Sequence, residues 1–117
     1  MSAVLFHPRA DGDQDEIYRW TVANWGEGKA AAYITGLHAH LERLAQLPGL
    51  WRPLSRRLTV LIETDEPIYV SRYRMHYVFF RRLHEGRLGV LRLIDVRRDM
   101  PRKLRRELIQ MARDPLQ

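Results

Sequence analysis

Residues 8–53 read PRADGDQDEIYRWTVANWGEGKAAAYITGLHAHLERLAQLPGLWRP and predict two α-helices folded back on each other. Apolar residues recur at helical spacing from about residue 27 to residue 47, which indicates an amphipathic helix about 30 Å long. Gly26 and Gly28 end the first helix, and Pro48 ends the second. Because the connection between the helices is short, the two helices should be antiparallel neighbours.

The first helix can begin at either of two residues. Pro8 fits the first turn of a helix, where a missing backbone N–H costs nothing. Asp13 and Glu16 form a capping-box pattern one turn later. Gly12 lowers the helix propensity of the early turn, so the later start is favoured.

Segments rich in β-forming residues flank the helical hairpin. Val4–Phe6 predicts a strand before it, and Leu58–Ile62 predicts another strand after it. Residues 68–83 are too long for one strand in a chain of this size, so we expect two strands with a turn near Arg72 to Met75. Residues 88–96 predict a buried strand that forms a hairpin with the strand before it.

The C-terminal segment predicts a short helix that begins near Asp99 and Pro101 and ends near Asp114. The predicted fold class is therefore α+β. An N-terminal strand and an antiparallel two-helix hairpin pack on a small antiparallel sheet of three to five strands, followed by a short C-terminal helix. The hairpin is the only cover that this interpretation offers for the sheet. A length of 117 residues favours a single domain spanning residues 1–117.

The composition excludes several kinds of site. The chain has no cysteine, so disulfides and thiolate sites are excluded and a reducing compartment is favoured. No apolar run approaches the ~20 residues of a membrane-spanning helix, and residues 1–8 lack the features of a secretory signal. We therefore expect a cytoplasmic protein without a membrane partner. No spacing of histidine or acidic residues predicts a metal site, and no glycine-rich loop predicts a cofactor.

Charge is distributed unevenly along a chain whose net charge is +6. Residues 1–51 carry four basic and six acidic residues, whereas residues 52–117 carry sixteen and eight. All but Lys29 and Lys103 of the basic residues are arginines, which pair well with carboxylates and phosphates. This pattern predicts an acidic partner, either nucleic acid or an acidic protein segment. The alternative is an arginine-rich coding bias and a solvated surface.

A series of landmark residues runs along the chain in order. In the first half they are Pro8, Ala10, Asp13 and Ile17, then Trp25-Gly26, then Ala30, Tyr33, Ile34 and Leu37, and finally Leu44, Ala45 and Pro48. In the second half they are Tyr77–Phe80, Val90–Leu93 and Arg97–Asp99. This order resembles the RelE/ParE superfamily of bacterial toxins, and its ParE-like branch in particular, over about residues 3–104. Residues 55–67 are longer than the family's usual connection between hairpin and sheet.

The resemblance to ParE implies the toxin of a type II toxin–antitoxin system that poisons DNA gyrase by binding, with no cofactor. It also implies a ParD-like antitoxin whose acidic and apolar C-terminal segment wraps the toxin. The predicted antitoxin contacts are Trp25, Tyr33, Trp51, Arg72 and Arg74. The predicted target contacts are Arg97, Arg98, Arg102 and Lys103. For each set the alternative is ordinary packing or solvated charge.

The RelE-like branch implies a different function, cleavage of mRNA on the ribosome. The residues that offer a metal-free nuclease site are His76, Tyr77, Arg92 and Arg98, where arginine would stabilise charge and histidine or tyrosine would move a proton. Strand alternation places His76 and Tyr77 on opposite faces of the sheet, which disfavours this site. A third alternative is a plain nucleic-acid binder, whose affinity would fall steeply with salt.

Overall fold

The computed structural model describes residues 3–53, 67–98 and 102–115, without the side chains of Arg102, Lys103 and Arg105. Within these residues the helices and strands occur in the order β1 (Val4–Phe6), α1 (Pro8–Trp25), α2 (Glu27–Gln46), β2 (Arg52–Pro53), β3 (Tyr69–Tyr73), β4 (His76–Arg82), β5 (Leu88–Asp95) and α3 (Arg102–Ala112). The predicted strand Leu58–Ile62 and the predicted helix start at Asp99 and Pro101 lie outside the described residues.

Helix α1 begins at Pro8, so the favoured later start at Asp13 is wrong. His7 precedes it with extended backbone, and its imidazole Nδ1 accepts a hydrogen bond from the Arg9 N–H at 3.1 Å. This ring therefore does the capping that Ser, Thr, Asp or Asn usually does. Since Nδ1 is the acceptor, Nε2 carries the proton and donates to Asp114 Oδ2 at 2.8 Å.

Gly26 makes the bend between α1 and α2. Its φ is 91°, a value that residues other than glycine rarely adopt. Its N–H donates to the Val22 carbonyl at 3.0 Å. The next helix begins at once with Glu27. Ala30, Leu37, Leu41 and Leu44 are buried along α2, as the helical spacing predicts. The predicted two-helix hairpin is therefore confirmed.

Five strands of the described residues form one sheet in the order β1-β5-β4-β3-β2. The strands from β2 to β5 pair antiparallel, and the turn between β3 and β4 lies at Arg74 and Met75, within the predicted range. The N-terminal strand β1 pairs in parallel with β5, so the sheet is mixed rather than wholly antiparallel. A parallel pair needs a long crossover, which the helical hairpin supplies. The α+β fold class is confirmed.

Each face of the sheet has its own helical cover. The hairpin face buries Ile17, Leu37 and Leu41 with Val78 and Phe80. The opposite face packs against α3, and its buried cluster comprises Ile68, Phe79, Leu91, Ile94, Leu104, Leu108 and Met111. The prediction that the hairpin is the only cover is therefore wrong. The strongly apolar strand β5 presents large side chains on both faces, so a second layer is needed.

Arg92 links both helical layers to β5. The strand has one extra residue at Leu91, opposite the junction of Phe79 and Phe80, and this bulge breaks the strict alternation of side chains. The guanidinium of Arg92 donates from Nε and Nη2 to Asp13 of α1, at 2.7 and 3.2 Å. Its Nη1 donates to Glu107 of α3 at 2.7 Å.

Asp13 has a second role at the open edge of β5. Strand β1 ends at Phe6, opposite Val90, so no strand of the described residues pairs with β5 beyond that point on this side. The Asp13 carboxylate accepts the Leu93 N–H at 2.9 Å and so satisfies a backbone donor of that edge. The side chains of Arg92 and Asp13 are only 10% and 12% exposed.

We expect replacement of Arg92 by methionine to destabilise the protein by about 3–5 kcal/mol, because Asp13 would remain buried without its cation. The free energy of unfolding in urea measures this. Arg97→Met is the matched control, since the Arg97–Asp95 pair lies at the surface and should contribute less than about 1 kcal/mol. Equal losses in the two variants would show that the buried network has no special role.

Candidate partner-binding groove

A groove of about 540 Å³ lies between α1 and the end of the sheet where the β3–β4 turn meets the end of β5. Its lining combines aromatic and apolar side chains with a hydrogen-bonded tyrosine–histidine pair and five charged groups. The lining residues are Asp13, Glu16, Ile17, Trp20, Thr21, Trp25, Tyr33, Met75, His76, Leu93, Asp95, Arg97 and Arg98. Its volume is that of a site for one small ligand or one short segment of a partner.

Two tryptophans of α1 form the aromatic wall of the groove. Trp20 is 54% exposed and Trp25 is 61% exposed, while Met75 in the β3–β4 turn is 41% exposed. The Lys29 ammonium lies 5.2 Å from the centre of the Trp25 ring, within cation–π range. Neighbouring large apolar side chains on a surface mark sites of interaction, and tryptophan is enriched among the residues that dominate such contacts.

Tyr33 and His76 join α2 to β4 at the floor of the groove. The Tyr33 hydroxyl lies 2.7 Å from Nδ1 of His76 and accepts the Met75 N–H at 3.3 Å. Burial raises the pKa of Tyr33 and lowers the pKa of His76. Both groups are therefore neutral near pH 7, and the hydroxyl can donate its proton to the imidazole. The pair holds the β3–β4 turn against α2.

Tyr73 reaches the same region because α2 has a glycine opposite it. A Cβ atom added at Gly36 would overlap the Tyr73 hydroxyl oxygen. The rings of Tyr33 and Tyr73 meet edge to face with their centres 5.2 Å apart. A glycine inside an otherwise regular helix costs stability, and here it allows the strand to approach the helix.

The charges of the groove are largely paired within the protein. Arg97 donates to both oxygens of Asp95, at 2.9 Å from Nε and 2.7 Å from Nη2, and its N–H also donates to Asp95. These hydrogen bonds hold the pKa of Asp95 far below its ordinary value. Asp13 is paired with Arg92. Within the described residues, the exposed Arg98 and Glu16 make no ion pair, so each offers its charge to solvent.

The groove brings together several of the predicted contact residues. Trp25 and Tyr33, predicted for the antitoxin, line it together with Arg97 and Arg98, predicted for the target. Arg72 and Arg74 are exposed at the neighbouring β3–β4 turn, where the Arg72 Nε donates to the Arg74 carbonyl at 2.9 Å. The side chains of Arg102 and Lys103 lie outside the described residues, so their predicted role remains a prediction.

Trp51 is buried, whereas a residue that anchors a partner at the surface must be exposed. It is 7% exposed, its indole N–H donates to the Leu44 carbonyl at 2.7 Å, and its ring packs edge to face on Tyr69 and Phe80. The packing alternative therefore applies to this residue, and an antitoxin cannot reach its ring without unfolding the core. A tryptophan in a loop next to Pro53 gave no sign of this burial in the sequence.

The four residues of the alternative nuclease site are not brought together. His76 faces the hairpin, whereas Tyr77 packs with the cluster under α3, as strand alternation predicts. Arg92 is 8% exposed and holds Asp13 and Glu107, which leaves it no free donor face for a phosphate. Among the described residues, no group of three or more histidine or acidic side chains could hold a metal ion.

Eight of the thirteen lining residues were not predicted as site residues from the sequence, among them Trp20, Met75 and Asp95. Trp20 shares a helix face with Ile17 and Thr21, which are buried, so helical spacing alone does not mark it as exposed. The signal that could have identified it is the presence of two tryptophans on one helix with few apolar partners.

No helix of the described residues is long and apolar enough to cross a membrane.

Comparison with known proteins identifies the family of this chain. Residues 4–100 match the family described as "ParE toxin of type II toxin-antitoxin system, parDE". The chain belongs to the ParE toxin family. It is also similar to Toxin ParE1 of Caulobacter vibrioides, with 38% identity over 45 residues. That match covers 38% of this chain and 47% of the relative, so it spans about half the length of the Caulobacter toxin.

The different positions of two tryptophans in this ParE-family chain give a direct stability test. Trp51→Ala should lower the free energy of unfolding by about 3–5 kcal/mol, because a buried ring is lost from the core. Trp25→Ala should change it by no more than about 0.5 kcal/mol, because that ring is mostly in solvent. Urea unfolding followed by circular dichroism measures both. A larger loss for Trp25 would place it in the core and remove it from the groove wall.

Acid should destabilise the protein through His76. Burial lowers its pKa below the ordinary value of 6.5, so below that pH the unfolded chain binds more protons than the folded chain. The free energy of unfolding should therefore fall as the pH decreases from about 6.5. The His76→Gln variant should show a shallower decrease, with the remainder due to His40, whose pKa burial also lowers. An unchanged slope in His76→Gln would contradict the assignment.

Proposed function

We propose that this chain is a toxin that acts in the cytoplasm by binding DNA gyrase, without catalysing a reaction. We propose also that a small ParD-like antitoxin with an acidic C-terminal segment neutralises it. The observation that carries the proposal is the groove, in which exposed tryptophans lie beside Arg97 and Arg98. Aromatic rings next to arginines are the composition of a surface that binds another protein.

The charges of the groove support a protein partner over a nucleic acid. Asp13, Glu16 and Asp95 line it with only two arginines, Arg97 and Arg98. The phosphates of a nucleic-acid strand would meet Glu16, whose charge has no ion pair within the described residues, and such a like-charge contact is unfavourable. A protein segment can place apolar side chains against the tryptophans and a single carboxylate near Arg98. The RelE-like nuclease alternative also lacks support because Arg92 is committed to Asp13 and Glu107.

Gyrase assays with purified protein test the proposed target. The wild-type chain should inhibit supercoiling or trap cleaved DNA, and its expression without antitoxin should stop growth and cause filamentation and DNA-damage signalling. Arg98→Glu should require at least about tenfold more protein for the same effect, because repulsion replaces attraction at the contact. Arg113→Glu is the matched control, since Arg113 is an exposed arginine after the end of α3 and away from the groove.

Two results would contradict this function. If a large excess of the wild-type chain left gyrase supercoiling and cleavage unchanged, the gyrase target would be wrong. If translating ribosomes mixed with the protein yielded mRNA cut in the A site, the chain would be a ribosome-dependent nuclease instead. If the Arg98→Glu variant inhibited gyrase as well as the wild-type chain does, the gyrase target would stand but Arg98 would not be part of the contact.

A further inference from the structure

We infer that Arg81 and Arg87 form a binding site for a phosphate group on the face of the sheet that α3 covers, near the C-terminal end of that helix. The ligand is inorganic phosphate or a small molecule that carries a phosphate. The two arginines lie where β4 ends and β5 begins, whereas the groove lies at the other ends of these strands. The site is independent of the proposed function, which uses neither arginine.

Strand register places the two arginines side by side. Arg81 of β4 lies opposite Gly89 of β5, and Arg87 precedes Gly89 by two residues with extended backbone. The Leu83 N–H donates to the Arg87 carbonyl at 2.7 Å, so the two chains still lie together at that point. Residues two apart in a strand point to the same face, and long side chains can meet across such a diagonal. Gly89 places no side chain between the arginines.

The contacts of neighbouring residues show that this is the α3 face of the sheet. Arg81 itself donates from Nη2 to the backbone carbonyl of Asp114, just after the end of α3. Leu88 is buried in the cluster under the hairpin, so the residues on either side of it point to the opposite face. Arg82 likewise lies on the hairpin side, with its guanidinium 4.7 Å from the centre of the Trp51 ring.

Both arginines have a buried N–H without an acceptor. Nε of Arg81 and Nε of Arg87 are buried and have no hydrogen-bond partner within the described residues. No ion pair of the described part of the chain includes either arginine. A buried donor without an acceptor is costly, so native structures contain few of them and each needs a physical reason. Here two such donors occur next to each other on cationic groups.

The charges around the pair indicate an anion rather than a neutral acceptor. Asp114 meets Arg81 through its backbone carbonyl, while its carboxylate accepts from Nε2 of His7 at 2.8 Å. The His7 ring is neutral, because its Nδ1 accepts a backbone N–H. Glu85 is exposed in the preceding turn and pairs with neither arginine. The one carboxylate of Asp114 offsets at most one of the two guanidinium charges.

A phosphate group matches two guanidinium groups that come from neighbouring strands. Each planar guanidinium can donate two parallel hydrogen bonds, and the oxygens of phosphate can accept from two arginines at once. A carboxylate has only two oxygens and pairs in this way with one arginine. Arg81 and Arg87 are each only partly buried as a whole, so their side chains can turn toward an anion that arrives from solvent. Because Arg81 also holds the chain after α3, bound phosphate should strengthen the attachment of that helix.

The test is titration calorimetry of the full chain with sodium phosphate at constant ionic strength. The wild-type chain should bind saturably, and Arg87→Met should weaken binding by at least about tenfold, because half of the site is lost. Arg81→Lys keeps the charge but removes Nε and the planar fork, so it should also weaken binding. Arg82→Met is the matched control, since it removes the same charge from the opposite face and should bind phosphate as the wild-type chain does. Circular dichroism checks that each variant is folded.

Amide hydrogen exchange adds a structural measurement. Phosphate should slow the exchange of the α3 amides in the wild-type chain but not in Arg87→Met, because the ligand holds Arg81 and through it the end of α3. Unchanged exchange in the wild-type chain at saturating phosphate would overturn the placement of the site beside α3.

Parallel titrations with ADP and acetate identify the source of the phosphate. ADP that binds more tightly than inorganic phosphate, again through Arg87, would identify a nucleotide as the ligand. Equal or weaker binding of ADP would identify the free ion. Acetate that binds as tightly as phosphate would overturn the assignment to phosphate. The inference would also fail if the wild-type chain showed no saturable binding, or if Arg82→Met weakened binding as much as Arg87→Met does.

Discussion

The buried ion pair between Arg92 and Asp13 holds the two layers of helices in register with the sheet. Bringing both charges out of water costs several kcal/mol, and the cost is offset because all three nitrogens of the guanidinium donate and both Asp13 oxygens accept. One Asp13 oxygen accepts from both Arg92 and the Leu93 N–H, and Glu107 takes the remaining side of the guanidinium. The position of α1 on β5 is thereby fixed. The groove depends on this, because its tryptophan wall belongs to the same helix.

The C-terminal helix is tied to the start of the fold as well as to its centre. The imidazole of His7 caps α1 through Nδ1 and donates to Asp114 through Nε2, while Arg81 donates to the Asp114 carbonyl. With the contact of Glu107 to Arg92, α3 is held at its middle and just beyond its C-terminal end. The apolar cluster under it buries Phe79 and Leu91, side chains that the hairpin cannot reach. The second face of the sheet is therefore as much part of the fold as the first.

The sequence predicted the features that depend on local patterns and missed those that depend on distant partners. Periodicity located the buried residues of α2, and strand length located the turn at Arg74. The capping role of His7 depends on a ring geometry that a one-dimensional pattern does not record. The burial of Trp51 depends on Tyr69 and Phe80 from later strands. For the groove, the aromatic and basic residues were recognised separately, since only the folded chain places the end of β5 beside α1.

The pairing of charge within the groove argues that apolar contact, rather than net charge, governs what binds there. The second half of the chain is strongly basic, which by itself favours an acidic partner held by long-range attraction. In the groove, however, Asp95 offsets Arg97 and Asp13 offsets Arg92, so little net charge faces a partner. In the proposed function, steering by the basic surface affects how fast a partner arrives, while burial of Trp20 and Trp25 determines how long it stays. For the proposed antitoxin, this division predicts fast capture at low salt and a complex that persists when salt screens the charges.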